Sequence, residues 1–203
     1  DVEHRDRVQN GRMEQRGPHD YFDAGMTLLA GGGVGAVTIA RLCAELGVTK
    51  GSFYHHFRGV DDFKSQLLAH WAADGERQVL QAAASVPDPV ARLDALRELG
   101  VALHHEAEVA IRTWSRTDAE AWAVRERVDA ARERTVAAAY EEVGVPHEAA
   151  ELLGRLAVAV LVGAQHRGET TDRDALRQLY GRLQEMTATI YLPASSTVAT
   201  GRR

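Results

Sequence analysis

A chain of 203 residues with 45% hydrophobic and 26% charged residues has the apolar content for a packed core, which excludes wholesale disorder. Its formal net charge of −5 argues against indiscriminate nucleic-acid binding, and no apolar run reaches the ~18 residues that a membrane span needs. The single Cys43 excludes an internal disulfide framework and no secretory pattern opens the sequence, so a cytoplasmic protein without membrane contact is expected.

Residues 1–18 are polar and aperiodic and read as a disordered tail, with Met13 a candidate start. A first helix is expected over 19–30, ended by Gly31, Gly32 and Gly33, because three glycines do not sustain a helix. Thr38 caps a short helix with Ile39, Leu42, Cys43 and Leu46 on its apolar side, and Gly47 ends it. Thr49 caps a second short helix whose Phe53 and Phe57 share one face. After Gly59, Asp61 and Asp62 occupy the first turn of a longer helix, where the helix dipole favours acids.

Asp88-Pro89 reads as a cap followed by proline at the first helical position. Thr117 and Glu120 have capping-box spacing ahead of a long helix ending near Gly144. Pro146 opens an apolar helix containing LLGRLAVAVLVGA (152–164), too short to span a membrane and interrupted by Arg155. A last helix is expected from 171 to about 191, and residues 193–203 read as a second disordered tail. The chain is therefore all-α, with about nine helices, no strand pattern and no internal repeat.

Two short helices joined at Gly47-Val48 make a helix-turn-helix, in which the second helix enters the DNA major groove. Phe53 and Phe57 pin that helix to the body and leave Lys50, Gly51, Ser52, Tyr54 and His55 near its open face. Lys50 can donate to guanine or phosphate, Ser52 can bond either, and Gly51 lets the backbone come close. Tyr54 offers a hydroxyl to phosphate and a ring face to a thymine methyl. Residues 17–68 hold four cations (Arg41, Lys50, Arg58, Lys64) against five acids (Asp20, Asp23, Glu45, Asp61, Asp62), but the Thr49 to Arg58 face has no acid. A shallow salt dependence is expected from so few phosphate pairs.

The stretch TIARLCAELGVTKGSFYHHFRGVDDFKSQLL, residues 38–68, resembles the DNA-binding domain of TetR-family transcriptional regulators. The resemblance spans Tyr21 to Trp71, through the threonine opening the second helix, the Leu-Gly-Val turn and the Tyr-x-His-Phe run. It implies phosphate contacts from Thr38, Tyr54 and His56, and groove-facing roles for Thr49, Lys50, Gly51, Ser52 and His55. Many members carry a lysine immediately before the acidic residue that opens the fourth helix. Val60 stands there in this chain, so either that phosphate anchor is missing or Lys64 or Arg58 supplies it from nearby.

The resemblance further implies a three-helix helix-turn-helix domain over 19–66 and a larger helical ligand-binding and dimerisation domain over 67–192. Candidate effector residues are Trp71, His104, Glu108, Ile111, Trp114 and Trp122, although the tryptophans serve equally well as core. Candidate dimer-interface residues are Leu153, Leu156, Ala157, Val160, Leu161, Ala164, Leu176, Leu179, Leu183 and Ile190, because the helix over 152–164 is apolar on almost all sides. The expected partners are a near-palindromic double-stranded operator, a second copy of the chain and a small-molecule effector. No cofactor or metal is expected: His55 and His56 are adjacent and point apart, and HHEAE (104–108) lacks a second histidine one turn on. Cys43 reads as packing. The reading is a sequence-specific regulator, a repressor by resemblance. The alternative is an all-α ligand-binding protein or enzyme whose helix-turn-helix is only structural, although no spacing pairs an acid with a base for catalysis.

Overall fold

The computed structural model describes residues 16–168 and 170–192; the expected tails at 1–15 and 193–203 lie outside the described residues. Among the described residues the regular structure is entirely helical, in chain order α1 (Pro18–Gly32), a 3-10 turn (Val34–Ala36), α2 (Ile39–Leu46), α3 (Lys50–His56), α4 (Val60–Ser85), α5 (Pro89–Ala102), α6 (His105–Trp114), α7 (Ala119–Glu142), α8 (His147–Gln165) and α9 (Arg173–Tyr191).

Side-chain caps set most of these starts. Thr38 accepts the Arg41 N–H and Thr49 accepts the Ser52 N–H, each at 3.3 Å. Asp88 does the same for Ala91 at 2.8 Å and Asp172 for Ala175 at 2.9 Å. The start of α7 differs from the Thr117–Glu120 expectation. Asp118 caps it by accepting the Ala121 N–H at 2.9 Å, while the Thr117 hydroxyl turns back to donate to the Trp114 carbonyl. α1 also outruns its expected end, continuing through Gly32 until Gly33 leaves the helical region at φ 66°. Gly47, at φ 65°, is the left-handed residue that lets the chain turn from α2 into α3.

One apolar cluster holds the N-terminal helices together. Tyr21 and Phe22 of α1, Phe53 of α3, Phe57 and Phe63 form an edge-to-face aromatic assembly, and Phe53 and Phe57 face inward as expected. Ile111 and Trp114 of α6 and Trp71 of α4 belong to the same cluster. α4 runs unbroken through positions 66 and 67, so the expected domain boundary falls inside a helix. The rest of the chain is organised around α7, which packs most extensively on α8. Gly154 makes that approach possible: a Cβ there would sit 2.3 Å from the Glu133 carbonyl oxygen.

Candidate nucleic-acid interface and ligand cleft

α2 and α3 form the expected helix-turn-helix. Thr49, Lys50, Gly51 and His55 are exposed along α3, and Tyr54 is 56% exposed, its ring meeting only the edge of Phe53 among the described aromatics. Thr38 is exposed at the mouth of α2. Three candidates are half-buried. Ser52 accepts the Tyr21 hydroxyl proton at 3.0 Å, which satisfies that buried phenol and leaves the serine's own proton to donate outward. His56 donates from Nε2 to the Arg16 carbonyl at 3.0 Å, tying α3 to the chain ahead of α1. Lys64 lies one turn into α4 from Val60, while Arg58 is exposed in the loop before it. The Arg58 amide donates to Asp62 at 2.9 Å, so that carboxylate serves the start of α4 and turns away from α3.

Sequence reasoning reached Tyr21 only as the edge of a resemblance. It is fully buried, meets Phe53 and Phe57 edge to face, and donates to Ser52. Through these contacts α1 fixes the pitch of α3.

Behind this unit lies a buried polar network. Glu108 accepts two hydrogen bonds from Arg132, both 2.8 Å, and one from Trp71 Nε1 at 2.9 Å. The Arg132 guanidinium also stands 5.8 Å from the Trp71 ring centroid. Burial opposes the charge on Glu108, but the Arg132 and Trp71 donors outweigh it and hold the carboxyl below its usual range. Arg112 makes a two-pronged pair with Asp129 at 2.7 and 2.8 Å. It also reaches Gln165, whose amide donates to His105 Nδ1 at 3.2 Å. His105 donates from Nε2 to the Val101 carbonyl, and burial pushes its pKa down, which fits a neutral ring accepting from Gln165.

The candidate effector residues are therefore scattered. His104 is the exposed N-cap of α6, because the helix starts at His105 and it is His105 that turns inward. Trp122 is 54% exposed on α7. Ile111 and Trp114 are enclosed in the N-terminal cluster, and Trp71 and Glu108 belong to the network. The six do not gather around one opening of the subunit, and none stands on the walls of the cleft described next. The large opening lies elsewhere: a cleft of about 750 Å³ between α4, α5 and α7, with Ala72, Val79, Leu80, Leu96, Val128 and Ala131 on its walls. Arg132 lines it and carries its other face to Glu108. A narrower apolar extension of about 70 Å³ continues toward Val158, Leu161 and Tyr180.

The dimer candidates also divide. Leu156, Leu179 and Ile190 are exposed, as are Leu152 and Met186 beside them. Ala157, Leu161 and Leu176 are buried inside their own subunit, Leu161 and Leu176 in one small cluster. Leu153, Val160, Ala164 and Leu183 are half-buried. α8 thus presents one apolar side to α7 and α9 and the other to solvent.

Among the described residues a helix-turn-helix stands ahead of a cleft-bearing helical body, and every regular element is a helix. Residues 22–66 match the family model of "Bacterial regulatory proteins, tetR family". Solved structures share the whole fold. A TetR transcription regulator from Haloarcula marismortui superimposes with a TM-score of 0.70 at 18% identity, covering 83% of this chain and 96% of its own. A TetR-family regulator from Streptomyces coelicolor gives 0.69 at 20% identity, over 84% of this chain and 87% of that one. A Saccharomonospora viridis protein described as a transcriptional regulator, bound to choline, gives 0.69 at 18% identity over 83% and 95%. No curated protein matches the chain by sequence. Among the described residues no helix is long and apolar enough to cross a membrane.

Proposed function

We propose that this chain is a homodimeric repressor that binds a near-palindromic operator and leaves it when a small molecule enters the cleft. The observation that carries the reading is the open face of α3, which presents Thr49, Lys50, Gly51, Tyr54 and His55 without a carboxylate among them. Thr38, Ser52, His56 and Lys64 flank it. In this reading residues 19–66 bind DNA, and residues 67–192 bind the effector and dimerise. Two-fold pairing would set the two α3 helices on half-sites about 34–36 Å apart.

The choline of the Saccharomonospora viridis protein does not carry over as a ligand. Recognition of a quaternary ammonium uses aromatic faces, and the described walls of the main cleft hold none, Tyr180 standing only in the narrow extension.

DNA selection with the purified protein, followed by mobility shifts on the selected site, tests the DNA reading. Lys50→Ala should relax preference at particular base pairs, costing about 1–3 kcal/mol there. Tyr54→Ala should weaken all sequences alike, the behaviour of a phosphate contact. An unchanged motif and affinity in Lys50→Ala would remove α3 from the groove. A structural helix-turn-helix, as in a ligand-binding protein or enzyme, predicts no selected site at all.

Val60→Lys restores the cation that the resemblance implies at the head of α4. It should tighten operator binding and steepen the log–log salt slope by about one unit. An unaltered slope places position 60 away from the phosphates.

A further inference from the structure

The cleft between α4, α5 and α7 holds two guanidiniums that no described residue engages. Arg92 is committed to Glu142 and to the Val86 and Pro87 carbonyls, and Arg132 is committed to Glu108. Arg127 and Arg134 also line the cleft and, among the described residues, make no hydrogen bond or ion pair. They are seven residues apart on α7, so they lie along one edge of it, about 10 Å from each other. Glu76 also lines the cleft and has no hydrogen-bond or ion-pair partner among the described residues, so four lining arginines stand against two lining acids, Glu76 and Glu142. The walls below are aliphatic, and their apolar character continues into the extension toward Val158 and Leu161.

We infer that the cleft binds an amphipathic organic anion, a carboxylate on an apolar chain, with its head at Arg127 or Arg134 and its body along Val79, Leu80, Leu96 and Ala131. A cleft of about 750 Å³ has the size of an ordinary small-ligand site. An apolar chain gains from leaving water there, while the carboxylate stays at the half-open rim, where its ion pair costs little desolvation. That such an anion is the effector rests on the regulator reading. The body would lie against Arg132, whose far side holds Glu108 and, through it, Trp71 of α4. α4 begins at the DNA-binding unit, so occupation of the cleft acts on the helix that positions α3.

Calorimetric titration of the full chain without DNA tests the site, using dodecanoate, dodecanol and dodecyltrimethylammonium as probes. Saturable uptake of dodecanoate is expected, with dodecanol weaker by about tenfold and the ammonium weaker still. Arg127→Gln with Arg134→Gln should bring dodecanoate down to the level of dodecanol; both side chains are at the rim and carry no internal bond, so the fold is kept. Ala131→Leu narrows the cleft and should weaken dodecanoate and dodecanol together. Equal binding of the three probes, tighter binding of the ammonium, or variants that bind dodecanoate as the wild type does would overturn the inference. A chain that shifts operator DNA but takes up no dodecanoate overturns the anion alone. One that takes up dodecanoate but selects no DNA upholds the anion and overturns the regulator.

Discussion

Leu156→Arg combined with Met186→Arg should turn the protein into a folded monomer that no longer holds its operator. Both side chains point to solvent in the single subunit, 47% and 62% exposed, so the arginines meet water there and disturb no core. On α8, Leu152 and Leu156 sit one turn apart, and on α9 Leu179, Met186 and Ile190 form a matching stripe. Such contiguous exposed apolar faces are rare on monomers and mark an association surface. Pairing two copies about a two-fold axis stacks the α8 and α9 faces into a four-helix bundle. An unpaired charge buried there costs about 3–5 kcal/mol, and the symmetry brings each substitution in twice. The dimer constant should therefore weaken by more than about a hundredfold. Light scattering reads the mass, thermal unfolding the fold, and a mobility shift the loss of two-site binding. A double variant that remains dimeric would move the interface elsewhere. Leu161→Glu is the contrasting control: Leu161 is 3% exposed inside its own subunit, so that change should unfold the protomer.

The local signals were legible because each is written in a few neighbouring residues. A hydroxyl or carboxylate ahead of an apolar period marks the starts of α2, α3 and α5, and Gly47 marks the turn between α2 and α3. The same rule missed by one residue at α7, where Thr117 and Asp118 are both cap residues and only the three-dimensional turn after Trp114 decides between them. Facing is less legible than extent. The segment 152–164 is apolar almost all round, so its composition says that it is buried without saying which side meets α7. Gly154 decides it, by admitting the Glu133 backbone. The polar interior was not legible at all. Glu108 and Arg132 are 24 residues apart, and Arg112 and Asp129 are 17 apart, on helices where most other charged residues face water. The available hint was on α6, where His105, Glu108 and Arg112 fall at i, i+3 and i+7, beside the apolar Ala107, Ile111 and Trp114.

That network makes Glu108 the residue whose loss should hurt stability most. Glu108→Ala strips Arg132 of its two-pronged partner and Trp71 of its acceptor, and leaves a guanidinium that is nearly enclosed. Removing one member of a buried pair costs about 3–5 kcal/mol, which for a chain of this size is a fall in Tm of about 6–20 °C. Glu108→Gln keeps an acceptor for Trp71 but not the charge, and should fall between the wild type and alanine. Arg132→Met placed on top of Glu108→Ala should recover much of the loss, since the orphaned cation is gone. Acid should reproduce the effect. Burial works against the Glu108 anion, yet the donors from Arg132 and Trp71 bring its pKa below the unfolded value. A group whose pKa falls on folding gives its full stabilisation above the unfolded value, near ~4.3 for glutamate, and loses it as the pH drops through the folded value. The wild-type Tm should consequently fall faster than that of Glu108→Gln below about pH 4. Matching acid profiles for the two proteins, or a loss under about 1 kcal/mol in Glu108→Ala, would mean that water or a shifted side chain already satisfies Arg132.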